Sequence, residues 1–261
     1  MTSFVTSADG TSLACDVVGE GPPVVLIAGI FCTRHTLAPL AAALADAGFR
    51  AATYDRRGRG DSGGPGPAPE PAEAVRSEVE DLTAVMASLG DDVAVYGHSS
   101  GACVAFRTAS AGAAVRRLVL HEPPWSDDDR DGSIALDRTI RTALAEDRPG
   151  DAIAAFLGDT GMPPEVVAGI AADPAMLAVA PTMPFDLAAT GADGSVPAAE
   201  LAVIAVPTLV LAGTASAPFF RDTAEQVAGL VPGARFELLD GADHGAGAEL
   251  VAPPVAEFLA G

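Results

Sequence analysis

Short apolar runs of strand length alternate with helix-patterned stretches through the first half of the chain, and this constrains its fold more than any other feature. Val24-Val25-Leu26-Ile27-Ala28 is continuous and rich in β-branched residues, as a strand buried on both faces requires. Residues 36–47 carry an Ala/Leu-rich helical pattern that stops at Gly48, a suitable C-terminal cap. Residues 50–54, 93–96 and 118–120 read as further strands, and 11–18 as another, entered through the turn dipeptide Asp9-Gly10. Between them, Val75, Val79, Leu82, Val85, Met86 and Leu89 recur at helical spacing, and 100–110 forms a second helix. Residues 58–71, dense in Gly and Pro, are expected to be a loop. The pattern predicts a mostly parallel sheet with helices on both faces.

The alternation breaks at Pro123-Pro124. Residues 123–200 read as short helices with no strand signal: one capped by Ser133 and reaching Gly150, then 151–157, 164–172 and 174–180. Strand and helix signals resume at 207–211, 219–230, 234–239 and 248–259. The expected organisation is an α/β core from 1–122 and 201–261, carrying a helical cap at 123–200 that is too long for an ordinary loop.

Charge excludes several partners. Fifteen basic residues face thirty-five acidic ones, for a net charge of −20, and every basic residue is Arg. Nucleic acid and anionic membrane surfaces are therefore poor partners. Without Lys there is no Schiff-base chemistry and no phosphate-gripping P-loop. Cys15, Cys32 and Cys103 are odd in number and far apart, which suits neither a disulfide framework nor a zinc site. The apolar runs are shorter than the ~18 residues of a membrane span, and no signal peptide is visible, so a cytoplasmic location is expected.

The strand at 93–96 runs directly into Gly97-His98-Ser99-Ser100-Gly101, with a helix behind it. G-x-S-x-G between a strand and a helix lifts the serine hydroxyl out of a strained turn above the sheet. The flanking glycines leave room for the close chain approach. The turn also sets the Ser100 amide at a helix N-terminus, where an oxyanion can be held. His98 is expected to pack within the turn.

These residues resemble the α/β-hydrolase family, with a cap inserted after the sixth strand. Tyr54-Asp55-Arg56-Arg57-Gly58-Arg59-Gly60-Asp61-Ser62 is similar to the family's loop after the fourth strand. Pro232-Gly233-Ala234 and Gly241-Ala242-Asp243-His244 are similar to its ending. The resemblance implies an eight-stranded, mostly parallel sheet and a nucleophile–acid–histidine triad in that chain order. Ser99 is the implied nucleophile and His244 the base. Of the other histidines, His35 is a candidate for lining the site and His121 is expected to be packed.

The acid departs from the family pattern. The loop after the seventh strand reads Gly213-Thr214-Ala215-Ser216-Ala217-Pro218 and holds no carboxylate. Glu122, in Leu120-His121-Glu122-Pro123-Pro124, ends a buried strand, an expensive place for a charge unless it is paired. Pairing with His244 would both satisfy it and fix the tautomer that lets the base act. Ser99-Ser100-Gly101-Ala102, His121-Glu122-Pro123-Pro124 and the acid-free loop ending Phe219-Phe220 resemble the fungal lactonases that open macrocyclic zearalenone.

Ala28-Gly29-Ile30-Phe31-Cys32 stands where the family shows His-Gly-x. The Ile30 amide is then the second oxyanion donor beside Ser100, and a backbone donor needs no particular side chain. Phe31, Trp125, Met162, Met183 and Phe185 are the candidate substrate-binding residues, with the cap as an apolar roof. The cap carries four Arg against fourteen Asp and Glu. The expected substrate is a neutral, apolar ester or lactone, cleaved without cofactor or metal. The same fold and triad also serve cyclases, carbon–carbon bond hydrolases and perhydrolase-like enzymes, and the missing acid at its usual site leaves room for a non-catalytic binding protein.

Overall fold

The computed structural model describes residues 2–64 and 69–261, so part of the loop expected at 58–71 lies outside the described residues. Eight strands form one sheet: β1 (Ser3–Thr6), β2 (Ser12–Val18), β3 (Pro23–Ile27), β4 (Arg50–Tyr54), β5 (Ala94–His98), β6 (Leu118–His121), β7 (Thr208–Gly213) and β8 (Arg235–Leu239). Their order is β1-β2-β4-β3-β5-β6-β7-β8. β3 to β8 are mutually parallel; β2 runs antiparallel to β1 and β4. β1 was not foreseen, because its Ser and Thr positions carry little apolar signal.

Strand alternation sorts the core into two layers. Val25, Ile27, Val95, Leu118, Leu120, Val210 and Ala212 face one side, where they meet α2 (Pro71–Leu89), α3 (Ser100–Ser110) and α10 (Pro218–Leu230). Val24, Leu26, Tyr96, Val119, Leu209 and Leu211 face the other, under α1 (Ala38–Asp46) and α11 (Ala248–Ala260). Both faces are apolar, as a parallel sheet covered twice demands.

Between β6 and β7 the chain forms only helices among the described residues: α4 (Arg130–Ala145), α5 (Pro149–Asp159), α6 (Pro164–Ala171), α7 (Pro174–Val179), α8 (Met183–Thr190) and α9 (Ala198–Leu201). The expected helix from Ser133 to Gly150 is two helices. Asp129 caps α4, its carboxylate accepting the Gly132 amide at 2.9 Å, and Pro149 opens α5. No single helix among the described residues is long and apolar enough to cross a membrane.

Candidate active site

Parallel strands bring distant segments to one edge of the sheet. Register pairs Ile27 with Gly97, His98 with His121, and Gly213 with Leu239. The chain therefore leaves β3, β5, β6, β7 and β8 side by side, carrying Gly29–Ile30, Ser99, Glu122, Ser216 and His244. Such an edge is where open α/β sheets place their ligands.

Ser99 occupies the turn between β5 and α3 with φ 56° and ψ −128°, a conformation costly for a residue with a side chain. Its amide donates to the His121 carbonyl at 2.9 Å, which ties the turn to β6. Glycine is obligatory around it: a Cβ on Gly97 would stand 2.6 Å from Ala102 Cα, and one on Gly101 2.8 Å from the Ala28 carbonyl oxygen. Gly29 likewise admits Ser99, whose Cβ would lie 2.9 Å from a Cβ at that position. Among the described residues, neither the Ile30 nor the Ser100 amide has a protein acceptor.

Glu122 is fully buried, directly beyond β6, with φ 49°. A residue before proline favours extended backbone, so this left-handed turn is strained. It aims the carboxylate over the end of β7. Oε2 lies 2.5 Å from His244 Nδ1. Oε1 accepts the Gly213 amide at 2.8 Å and the Ser216 hydroxyl at 2.5 Å. Burial alone pushes the carboxyl pKa up, but the hydrogen bonds from His244, Ser216 and Gly213 together hold it below the usual glutamate range. Ser216 thus donates to this carboxylate from the loop after β7.

His244 is presented by an Asx turn, in which the Asp243 side chain accepts the Gly245 amide at 2.9 Å. Two other rings approach its own. Phe220 stacks on it at 4.2 Å and 12°, and His98 lies at 4.6 Å and 38°. His98 in turn lies 5.0 Å from His121, which shares a 2.7 Å hydrogen bond with the Tyr96 hydroxyl. Burial pushes the His98 pKa well down and that of His121 down to about 3, which favours the neutral form of each ring. No hydrogen bond joins His244 to Ser99 Oγ among the described residues. The contact between His98 and His244 nevertheless sets the imidazole against the residue adjoining Ser99.

The candidate substrate-binding residues divide. Phe31, Met162 and Met183 join one apolar cluster, together with Ile30 and Phe156. Phe31 meets Phe156 edge to face at 5.7 Å. Trp125 and Phe185 pack in other clusters. Trp125 is fully buried in the core, edge to face with Phe106, and its Nε1 donates to the Thr190 carbonyl at 2.9 Å. Phe185 packs with Ala74 and Ala188 beneath the Arg57 guanidinium. Adjacent residues of a helix point about 100° apart, so an apolar helix buried on several sides sends only part of its face to any one site. His35 is exposed.

Sequence reasoning left Phe220 and Asp186 without a role. Phe220 was visible only as part of a motif. Asp186 carried a plain signal, as the lone charge in the otherwise uncharged helix α8.

Comparison with known proteins agrees with this architecture. Residues 24–258 match the model of the alpha/beta hydrolase family. An alpha/beta hydrolase from Sphaerobacter thermophilus DSM 20745 is similar at 40% identity and TM-score 0.85, over 98% of this chain and 99% of that one. A thermophilic esterase from Thermogutta terrifontis shares 26% identity at TM-score 0.76, over 100% of this chain and 98% of its own. The enol-lactonase from Burkholderia xenovorans LB400 is similar in fold at 22% identity and TM-score 0.73, over 99% of this chain and 100% of its own. With its sheet order, its strained serine turn and a family match running almost end to end, the chain belongs to the alpha/beta hydrolase family.

Proposed function

We propose that the protein is a serine hydrolase of neutral, apolar carboxylic esters or lactones, acting through Ser99, His244 and Glu122. The carrying observation is the 2.5 Å contact between Glu122 Oε2 and His244 Nδ1 at the strand edge that also presents Ser99. A carboxylate on Nδ1 keeps the proton there and leaves Nε2 as the base. Ser99 Oγ attacks the ester carbonyl carbon while His244 Nε2 takes its proton. The Ile30 and Ser100 amides hold the resulting oxyanion. His244 then returns the proton to the leaving alkoxide, and an acyl-serine remains. Water attacks the acyl-serine by the same proton route, releasing the acid and restoring Ser99. Hydrogen bonds of this kind commonly tighten only when substrate is bound, so closure of His244 onto Ser99 belongs to the complex.

The substrate class follows from the surroundings. Ile30, Phe31, Met162 and Met183 offer an apolar wall, and the inserted helices serve as its cap. The carboxylates of the cap disfavour an anionic substrate. Esterases and an enol-lactonase among the structural neighbours point the same way.

The test is hydrolysis of p-nitrophenyl esters and simple lactones, paired with labelling by a fluorophosphonate. The expected result is a single adduct on Ser99 and loss of turnover in Ser99→Ala with the fold intact. Persistent turnover in Ser99→Ala would sink the reading.

A further inference from the structure

Asp186 links the two backbone segments that carry the oxyanion donors. It is buried in α8 of the inserted segment, far along the chain from both. Its Oδ1 accepts the Ser100 hydroxyl at 2.7 Å and Arg56 Nη1 at 2.5 Å. Its Oδ2 pairs with Arg59 Nη2. Arg59, fully buried, donates through Nη1 to the Gly29 carbonyl at 2.7 Å and through Nε to Thr182 at 3.1 Å. Arg56 is closed on its far side by Glu78 at 2.7 Å. Two guanidinium groups thus meet two carboxylates with no net charge. From this group one arm reaches the residue that follows the nucleophile, and the other reaches the residue before Ile30.

Burying four charges is expensive, and well-packed apolar side chains would dock a helix as firmly. What apolar packing cannot supply is a directional hold on a hydroxyl and a carbonyl beside the reacting atoms. We infer that Asp186 is a positioning residue for the oxyanion hole, setting the Ser100 amide directly and the Ile30 amide through Arg59. This rests on the serine-hydrolase reading above and adds the residue that registers its two donors. Met183 lies one helical turn before Asp186 and faces the apolar wall, so α8 fixes donor geometry and one wall of the site together. The inserted segment is then part of the catalytic frame at this point.

The test compares a p-nitrophenyl ester with its thionoester analogue. Sulfur is larger than oxygen and a weaker hydrogen-bond acceptor, so a well-registered pair of amides favours the oxygen ester. Displaced amides lose that preference, whereas a general loss of stability does not change it. Ser100→Ala removes one arm and keeps its amide. The expected result is a fall of about tenfold in kcat with KM within about twofold, and a lower oxo-to-thiono rate ratio. Asp186→Asn, where it folds, is expected to lose about a hundredfold in kcat and to lower the ratio further. Asp81→Asn, which breaks the buried pair of Arg57 and Asp81 and removes no hydrogen bond to Asp186, Ser100 or Gly29, is expected to lower Tm and keep the wild-type ratio. An unchanged ratio in Ser100→Ala overturns the inference, as does an equal fall of the ratio in Asp81→Asn. If Ser99→Ala stays active, the serine mechanism fails and this role with it. If Ser99→Ala is inactive and the ratio is unmoved in Ser100→Ala, only the positioning role fails.

Discussion

Glu122 reaches His244 across the end of β7, and the hydroxyl of Ser216 lies 2.5 Å from the carboxylate oxygen that faces away from the imidazole. The carboxylate therefore makes one contact that orients His244 and two that hold its own position. Removing the charge and removing a support should differ in size. Glu122→Gln is expected to lower kcat by about 10²–10⁴-fold, because an amide no longer enforces the working tautomer. Ser216→Ala leaves the Gly213 amide on Oε1 and is expected to cost only a few-fold. Steady-state kinetics on one p-nitrophenyl ester ranks them, and the reverse ranking would remove Glu122 from its proposed role.

Phe220 stacks almost parallel on His244, and a ring face stabilises an imidazolium more than a neutral imidazole. In the proposed mechanism a positive charge forms on His244 when it takes the serine proton. Phe220→Leu keeps bulk and loses the π face, and is expected to reduce kcat by about two- to tenfold with little change in KM. Phe220→Tyr is expected to retain the rate. Equal kinetics for the Leu variant and wild type would show that the stack contributes only packing.

Much of this site could be read before the structure because each key residue breaks a local rule. Ser99 interrupts a strand-to-helix passage between two glycines. Glu122 puts a charge where a buried strand should be apolar. These conflicts are visible in one dimension. The pairing of Asp186 with Ser100 depends on how α8 docks, and no local spacing encodes that contact. Trp125 and Phe185 illustrate the opposite limit. Their apolar character predicts burial correctly but does not say against which neighbour, since burial is non-directional. The helix ends at Asp129 and Pro149 were legible in principle, because cap and N1 chemistry is local; Ser133 competed only because it too is a capping residue type.

Trp125, the single tryptophan, is held at three points: its ring on Phe106, its Nε1 on Thr190, and its carbonyl by the Thr223 hydroxyl at 2.6 Å. It joins the start of the inserted segment to α3 and α10. Trp125→Ala should therefore act on stability, costing about 3–5 kcal/mol. Urea titration followed by circular dichroism measures the loss. In the wild-type protein the same residue is expected to emit at a blue-shifted wavelength and to shift red in one step on unfolding. A red-shifted emission in native buffer would contradict its burial.

Acid sensitivity follows from His98 and His121. Both have folded-state pKa values pushed below the ordinary histidine value by burial, that of His121 to about 3. In the unfolded chain each regains a pKa of about 6.5. Between those limits the unfolded state binds more protons than the native state, so stability must fall as pH falls. Each histidine contributes a slope approaching about 1.4 kcal/mol per pH unit once pH is well below 6.5. Glu122 and Asp186, whose pKa values are depressed in the fold, add to the loss only at lower pH, where unfolded carboxylates protonate near pH 4. From about pH 6.5 to 4.5 the two histidines lower stability on acidification, and Asp81, whose carboxyl burial pushes up to about 6, offsets about one of those two protons. Urea unfolding across this window is expected to show a decline in stability, and His121→Phe to show a shallower one. That variant gives up the Tyr96 hydrogen bond, so its absolute stability at pH 8 is lower while its pH slope is reduced by about one proton. A variant whose slope matches wild type would mean that His121 is charged in the folded protein, and the neutral ring packed against His98 would have to be abandoned.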